Sequence, residues 1–326
     1  MGDSPRSAGS AVAAVAASRD IDGTCRARRV ALTAFICSGA DAPMVWKRLR
    51  ATKRTRFAPS PTGDLHLGGA LCALVSRDLA REAGAAFVVR LEDLDPPRVV
   101  AGAAERILDD LEWLGLGGDE GPRAGGPTGP YVQSARFSFY EDALRTLEAA
   151  GLTYPCDCSR AEIARVASAP HEGEDVVIYP GTCKDKDPSR EMRRPPAIRF
   201  HGGRETDDFV LRRGDGVFSY QLAVSVDDLA MAIAVVVRGE DLRSSTPRQV
   251  ALMKALGARD DEVPSYVHLP LVRDASGARL SKRTAGGRVR ALKDGGLSAK
   301  EITDALAAAK DGSPFVVPRE WERFGV

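Results

Sequence analysis

The sequence predicts an α/β protein whose parallel sheet is divided into two halves by a small insertion. Short apolar runs alternate with amphipathic segments along residues 54–151, a pattern typical of strand–helix crossovers. The pattern breaks into short polar pieces over 152–205 and resumes in a second half over 206–258. A basic stretch and a short helical region complete the chain over 259–326.

The elements of the two halves follow in the order that a parallel sheet requires. A strand at 55–60 leads into a helix at 68–84, which ends on a glycine, a common helix stop. The apolar run at 85–95 ends in carboxylates and predicts a buried strand at the edge where ligands bind. The remaining predicted elements are a second buried strand at 230–241 and helices at 104–116, 134–151, 246–257 and 298–310.

Composition excludes several classes of protein. Hydrophobic residues make up 44% of the 326 residues, which is enough for a sizeable core, and the net charge of +1 gives no overall attraction to nucleic acid or membrane. There is no apolar run of about 18 residues, so we expect no membrane span. Six cysteines are few for a disulfide framework in a chain of this length and favour a reducing, cytoplasmic location. Residues 1–50 are low in complexity and are expected to form a disordered extension.

The stretch "RFAPSPTGDLHLGGAL" places His66 where a strand turns into a helix. A helix amino-terminus presents unpaired N–H groups and partial positive charge, and therefore favours phosphate. Gly68 and Gly69 would let a base or a phosphate approach the backbone, and His66 would add a donor at the same point. These groups suit a reaction in which a carboxylate attacks the α-phosphate of ATP, because they would stabilise charge on the phosphoryl oxygens.

A second stretch, "RLSKR", follows about two hundred residues later in a predicted loop. A mobile loop can bring Lys282 onto the β- and γ-phosphates as a site closes. We therefore expect His66 and Lys282 to act on the same triphosphate, with Mg²⁺ accompanying ATP.

Together "HLGG" and "RLSKR" resemble the two signature motifs of class I aminoacyl-tRNA synthetases, usually written HIGH and KMSKS. Arg279 and Arg283 depart from the second motif, whereas Lys282 keeps its place. Over roughly 54–295 the chain also resembles the catalytic half of the glutamyl-tRNA synthetases. That resemblance is carried by "RFAPSPTGDLHLGGA", "VVRLEDLD", "GPYVQSAR", "FSYQLAVSVDDLAM" and "VVRGEDLRSSTPRQ". It implies a Rossmann-like class I catalytic fold and a ligase that forms glutamyl-adenylate.

Charged residues at predicted strand ends fit glutamate independently of the resemblance. Arg56 and Arg238 can each fork onto a carboxylate, and Glu92 can pair with the ammonium. Ser60 and Tyr220 can add hydroxyl hydrogen bonds. The resemblance implies the same glutamate-binding set together with Ala58: Arg56, Ala58, Ser60, Glu92, Tyr220 and Arg238.

Three cysteines cluster in the predicted insertion, at Cys156, Cys158 and Cys183. Zinc takes four ligands in a tetrahedron and is well suited by thiolates, so the fourth ligand would be His171 or Tyr179. Chemistry alone favours the histidine. However, CxC followed by YxxxC resembles the zinc site of one branch of the family, the glutamyl-queuosine tRNA(Asp) synthetases, and on that resemblance Tyr179 is assigned.

The same branch has a short form. Full glutamyl-tRNA synthetases continue into a large helical anticodon-binding region, whereas only 43 residues follow Arg283 here. The resemblance implies that glutamate is activated without tRNA and then attached to queuosine in the anticodon loop of tRNA(Asp), and a monomer is expected. Seven basic residues from Arg273 to Lys293 would either hold RNA phosphates or form a solvated face.

Three alternatives remain open from the sequence. The first is a truncated glutamyl-tRNA synthetase that charges tRNA(Glu). The second is a non-catalytic RNA-binding paralogue, against which the presence of both His66 and Lys282 argues. The third is a different class I-like nucleotidyltransferase, which would not need the glutamate-binding arginines.

Overall fold

The computed structural model describes residues 54–166, 179–203, 206–278, 280, 287–309 and 313–324. The predicted extension over 1–50, His171 and the motif residues Arg279, Lys282 and Arg283 lie outside these ranges. Within the described part of the chain, no helix combines the length and apolar character that crossing a bilayer requires.

Strands and helices follow one another along the chain in an α/β order. The strands are β1 (Arg54–Phe57), β2 (Ala86–Val89), β3 (Thr153–Cys156), β4 (Ala197–Phe200), β5 (Val210–Arg212), β6 (Val235–Gly239) and β7 (Ser265–Leu269). The α-helices are α1 (Leu67–Ala83), α2 (Ala103–Trp113), α3 (Phe137–Ala149), α4 (Arg160–Val166), α5 (Tyr220–Ala230), α6 (Thr246–Ala255), α7 (Val289–Asp294) and α8 (Ala299–Ala308). Short 3₁₀ helices lie at Pro96–Arg98, Gln133–Ala135, Glu240–Ser245 and Arg319–Phe324.

Four parallel strands form the central sheet in the order β2–β1–β6–β7. The chain enters β6 only after the long excursion that begins at the end of β2, so the two middle strands come from distant parts of the sequence. This observed sheet confirms the predicted class, an α/β fold with a parallel sheet.

The two faces of the central sheet differ because successive side chains of a strand point in opposite directions. On β1, Thr55 and Phe57 face α1, and the Thr55 hydroxyl donates to the Ser76 carbonyl of that helix at 2.9 Å. Arg56 therefore points to the opposite face. The α1 side is closed by a continuous apolar core that also includes α7 and α8, so the polar face is the one left for a ligand.

An antiparallel sheet of three strands, in the order β3–β4–β5, forms a second layer. It packs through Phe200, Phe209 and Leu211 against helices α3 and α5. β5 follows the predicted boundary at 205, so this sheet joins residues from both sides of it. The domain boundaries themselves stay predictions.

Two predicted strands are wrong in extent. The run at 230–241 begins as the end of α5 and a turn in which Ala232 adopts a positive φ of 49°, so only Val235–Gly239 is strand. The run at 85–95 is strand only to Val89; the backbone of Arg90 and Glu92 then donates to Phe57 and Pro59 carbonyls without regular pairing. By contrast, the helix predicted at 68–84 is confirmed, with Gly84 as its left-handed C-cap.

Candidate active site

Strand register brings the predicted glutamate residues to one face of the central sheet. Arg56 lies beside Val236 of β6, and Val236 lies beside Tyr266 of β7. Two residues farther along, Arg238 lies beside His268. Since residues two apart on a strand share a face, Arg56 and Arg238 form successive rows near the carboxyl edge of the sheet, where open α/β sheets bind ligands.

Arg56 and Glu92 belong to a buried ionic network. Both Nε and NH2 of Arg56 donate to the carboxylate of Asp228, each at 3.3 Å. Arg90 donates to Asp228 at 2.8 Å and to Glu92 Oε1 at 3.0 Å. Arg90 and Asp228 are fully enclosed, at 0% and 1% exposure. The network thus ties two predicted substrate contacts to one carboxylate on α5.

The pKa shifts follow from this network. Burial acts to lower the pKa of Arg56, but the charges of Asp228, Tyr220 and Glu92 together outweigh burial, so the pKa is raised and Arg56 stays charged. Burial raises the pKa of Glu92, and the cations Arg90 and Arg56 oppose that rise. Asp228 has a lowered pKa despite its burial because both guanidinium groups favour its ionised form.

A second buried carboxylate, Asp227, lies next to Asp228 in α5 and extends the ionic network. It accepts hydrogen bonds from Arg136 at 2.6 Å, from Gln133 at 2.8 Å and from the Tyr140 hydroxyl at 2.9 Å. Arg90 also pairs with it at 3.5 Å. Asp227 is thus compensated by partners within the fold.

Arg238 is held differently, by neutral acceptors. Its NH1 donates to Gln249 Oε1 at 2.7 Å, its NH2 to the Thr246 hydroxyl at 2.7 Å and its Nε to His268 Nε2 at 3.2 Å. The guanidinium also lies 4.9 Å from the ring centre of Tyr266. Arg238 is only 4% exposed, and among the described residues it has no carboxylate within ion-pair distance.

The neighbours of Arg238 are neutral for physical reasons. Burial, then the positive charges of Arg238 and Arg243, lower the pKa of His268 to about 4. His268 is therefore neutral near pH 7 and can accept the hydrogen bond from Arg238. Burial without an ion pair in turn lowers the pKa of Arg238.

Tyr220 is the first residue of α5, and the charges of Glu92, Arg238 and Arg56 act on its phenol. Its side chain is 36% exposed, yet desolvation of the phenol within the cleft raises its pKa. The Glu92 carboxylate adds to that rise, whereas Arg238 and Arg56 oppose it. The phenol, the carboxylate and both arginines are thus close enough to influence one another.

The loop after β1 supplies the rim of this cleft. Ala58 is half-buried and Ser60 is exposed, while the Glu92 backbone N–H donates to the Pro59 carbonyl at 2.9 Å. Ser60 and Glu92 therefore lie on adjacent segments. The structure brings all six predicted glutamate-binding residues to this carboxyl edge of the sheet.

His66 is the N-cap of α1, and its Nδ1 accepts from the Gly69 backbone N–H at 3.0 Å. A neutral His66 then carries its ring proton on Nε2, which makes that nitrogen a donor. A Cβ on Gly68 would lie 3.2 Å from His66 Nδ1, and one on Gly69 would lie 3.1 Å from the Leu65 side chain. Glycine at both positions keeps this turn compact.

Described residues on both sides of Lys282 lie near His66, although Lys282 itself lies outside the described residues. On the amino-terminal side, the Leu280 N–H donates to the Val272 carbonyl at 3.0 Å, and Val272 is the third neighbour that a Cβ on Gly68 would meet, at 3.6 Å. On the carboxyl-terminal side, Arg288 forms a β-bridge with His66. The described residues that flank Lys282 are therefore close to the start of α1.

The three cysteines and Tyr179 meet in the insertion. The sulfurs of Cys156, Cys158 and Cys183 all lie within 4.8 Å of one another. Cys158 and Cys183 sulfurs are 3.6 Å apart, and the Tyr179 hydroxyl lies 3.3 Å from Cys156 Sγ and 3.7 Å from Cys158 Sγ. A tetrahedral zinc ion would place two sulfurs about 3.8 Å apart and an oxygen about 3.5 Å from a sulfur. The cluster therefore has the dimensions of a zinc site.

Cations surround this cluster. The Arg199 guanidinium lies 3.6 Å above the Tyr179 ring, and Arg190 donates to Cys183 Sγ at 3.3 Å. A zinc ion with three thiolates carries a net negative charge, which these two arginines would offset. His171, the alternative fourth ligand, lies outside the described residues.

Several residues of the site were not predicted from the sequence. Asp227 and Asp228 stand inside the apolar run "LAVSVDDLAM", and charged residues within a buried helix were the available signal for a polar network. Gln249 and His268 carried no comparable signal, because their role depends on which strand and helix meet Arg238.

The chain is similar to known proteins in both sequence and structure. The family model for the class I (E and Q) tRNA synthetase catalytic domain matches residues 52–194 and 198–297. A relative from Nitratidesulfovibrio vulgaris named Glutamyl-Q tRNA(Asp) synthetase is 46% identical over 290 residues, which covers 82% of this chain and 89% of the relative. Another of the same name, from Nocardia farcinica, is 43% identical over 286 residues, with 81% and 86% covered. A crystal structure of a glutamate tRNA ligase from Elizabethkingia meningosepticum, in complex with its amino acid, is 27% identical with a TM-score of 0.65, covering 83% of this chain and 68% of that one.

Proposed function

Because the chain belongs to the class I tRNA synthetases of the glutamate and glutamine group, we propose that it activates L-glutamate with ATP and transfers it to queuosine in the anticodon loop of tRNA(Asp). Relatives named Glutamyl-Q tRNA(Asp) synthetase support the acceptor, since they span most of the chain at 43–47% identity. The class I ligase reaction supports the activation step.

The observation that carries the glutamate assignment is the unneutralised charge of Arg238. A buried guanidinium is costly unless an anion compensates it, and the described partners of Arg238 are neutral. These bonds use three of the five guanidinium N–H groups, so two remain for a ligand. A substrate carboxylate would supply the missing negative charge.

The rest of the pocket complements a zwitterionic amino acid. Glu92 Oε1 is occupied by Arg90, which leaves its second oxygen to pair with the substrate ammonium. Arg56 would meet the other carboxylate, while Ser60 and Tyr220 would add hydroxyl hydrogen bonds and Ala58 backbone contact. Asp228 secures Arg56 without filling the cleft.

For activation, a carboxylate oxygen of glutamate attacks the α-phosphate of ATP; an O–P bond forms, the bond to the β-phosphate oxygen breaks and pyrophosphate leaves. His66, Gly68 and Gly69 would bind the phosphates at the start of α1, and Lys282 would close over them, with Mg²⁺ balancing phosphate charge. The oxygen of a queuosine hydroxyl then attacks the glutamyl carbonyl carbon and the bond from that carbon to the phosphate oxygen breaks. AMP leaves with the bonding electrons, and the hydroxyl proton passes to the AMP phosphate or to water.

We also propose that the cluster of Cys156, Cys158, Tyr179 and Cys183 holds one zinc ion. Its sulfur and oxygen separations fit tetrahedral coordination, and Arg190 and Arg199 would balance the charge. Such an ion would join β3 to the segment that follows residue 179, a structural role. A cytoplasmic location and a monomeric state stay predictions.

Pyrophosphate exchange tests the activation step. The wild-type protein is expected to exchange label between pyrophosphate and ATP with glutamate and without tRNA, and to do so far more slowly with aspartate or glutamine. A protein that exchanges only when tRNA(Glu) is added would instead favour the truncated glutamyl-tRNA synthetase, the alternative supported by the likeness to a glutamate tRNA ligase. No glutamate-dependent exchange at all would favour a non-catalytic RNA-binding protein.

A further inference from the structure

A chain of side-chain amides runs behind Arg238. Gln249 accepts from Arg238 NH1 at 2.7 Å and donates through Nε2 to Gln221 Oε1 at 3.0 Å. Gln221 in turn donates to the Ser245 hydroxyl at 3.1 Å. Gln249 and Ser245 are buried, at 1% and 8% exposure, so these bonds are not exchanged readily for bonds to water.

The direction of the chain fixes the orientation of the Gln249 amide. Because Nε2 is engaged by Gln221, the amide oxygen must face Arg238. Gln221 follows Tyr220 at the start of α5, Gln249 lies on α6 and Arg238 lies on β6. One amide therefore connects three elements that line the cleft.

An acidic residue of the same shape would hold Arg238 just as firmly. It would also neutralise the guanidinium, as Asp228 does for Arg56. The contrast between the two arginines is clear: Arg56 has a carboxylate partner, and Arg238 has an amide in the equivalent place.

We propose that Gln249 is a positioning residue that orients Arg238 while leaving its charge for the carboxylate of the substrate. This inference rests on the proposed glutamate activation and deepens it. Arg238 has no ion-pair partner among the described residues of the free protein, and the carboxylate of the bound substrate becomes that partner. Preorganised but uncompensated charge of this kind strengthens ligand binding at the expense of the stability of the free protein.

The substitution Gln249→Glu tests the inference because it retains the side-chain shape and adds one negative charge. The new carboxylate would pair with Arg238, and Gln221 can turn its amide to donate to it. We expect the KM for glutamate in pyrophosphate exchange to rise at least tenfold, the KM for ATP to change less than about twofold, and the melting temperature to stay level or rise.

Two comparison variants separate charge from structure. Gln249→Met is uncharged and removes the amide contacts, so we expect a lower melting temperature and a smaller rise in the KM for glutamate than in Gln249→Glu. Lys254→Gln makes the same change in net charge on α6 at an exposed position whose ion-pair partner among the described residues is Asp260, and should leave both KM values unchanged.

Three results would overturn the inference: an unchanged KM for glutamate in Gln249→Glu, an equal rise in both Gln249 variants, or a melting temperature of Gln249→Glu below that of Gln249→Met. Each of these three results is informative only when the wild-type protein shows glutamate-dependent exchange. If the wild-type protein shows none, the proposed function fails first, and the inference fails with it.

Discussion

Replacing Arg238 with methionine tests whether this buried cation binds the substrate. The three neutral acceptors that Arg238 contacts would lose a donor, but Thr246 and His268 already lie within hydrogen-bond distance of each other, at 3.2 Å. No ion pair within the described residues is broken, and methionine fills much of the space. Gln249 Oε1 would lose its donor, but removal of a buried, unpaired charge offsets that loss, so we expect the free energy of unfolding to change by less than about 2 kcal/mol.

The effect on substrate binding should be far larger. Two guanidinium N–H groups remain for a carboxylate, and a hydrogen bond between charged groups contributes about 1.5–3 kcal/mol. Their loss should raise the KM for glutamate by about 10²- to 10⁴-fold, since each 1.4 kcal/mol is about tenfold. The KM for ATP should stay within about threefold.

Pyrophosphate exchange over a glutamate titration, together with thermal unfolding, measures both quantities. Arg145→Met removes an exposed arginine on α3, whose ion-pair partner in the described part of the chain is Asp142, and serves as the matched control. A rise of less than tenfold in the KM for glutamate, with the fold intact, would refute the role of Arg238 as the carboxylate-binding cation.

Three further predictions concern the phosphates, the metal and pH. Lys282→Ala should lower the exchange rate at least about 100-fold while changing glutamate binding, measured by calorimetry, less than about threefold; an unchanged rate would exclude Lys282 from activation. Metal analysis should find about one zinc per chain, lost in Cys156→Ser together with several degrees of melting temperature; equal zinc in both proteins would contradict the assigned ligands. Because the folded protein lowers the pKa of His268 to about 4, its contribution to stability is complete above the unfolded value near 6.5 and is lost as pH falls from there toward 4, by at most about 3 kcal/mol. His268→Gln should therefore lose less stability between pH 7 and pH 4.5 than the wild-type protein, and identical losses would show that another group is responsible.

Local patterns were sufficient for the parts of the site that lie close together in sequence. The turn from His66 to Gly69 depends on a cap, two small residues and a helix that follows directly, so the sequence predicts it well. Arg56 and Arg238 belong to apolar runs near their ends, so their position at the strand ends is likewise predicted from the sequence. The pair Cys156 and Cys158 needs only a two-residue spacing.

Such local patterns do not predict contacts between segments that are distant in the sequence. Asp228 meets Arg56 across 172 residues, and this contact depends on how α5 packs against the sheet. Gln249 reaches Arg238 only because α6 follows β6 through a 3₁₀ turn and folds back over the strand end. The extra length predicted for the strand at 230–241 has a similar cause. Its first residues are apolar because they end a buried helix, and apolar character alone does not separate a helix end from a strand.

Transfer of labelled glutamate to purified tRNA is the most direct test of the proposed reaction. The wild-type protein, ATP and labelled glutamate are incubated with tRNA(Asp) containing queuosine, with tRNA(Asp) lacking it, and with tRNA(Glu). We expect label only on the first RNA, in the fragment that contains the anticodon loop after ribonuclease cleavage. Label on the 3′ end of tRNA(Glu), with none on the queuosine-containing RNA, would contradict the proposed reaction.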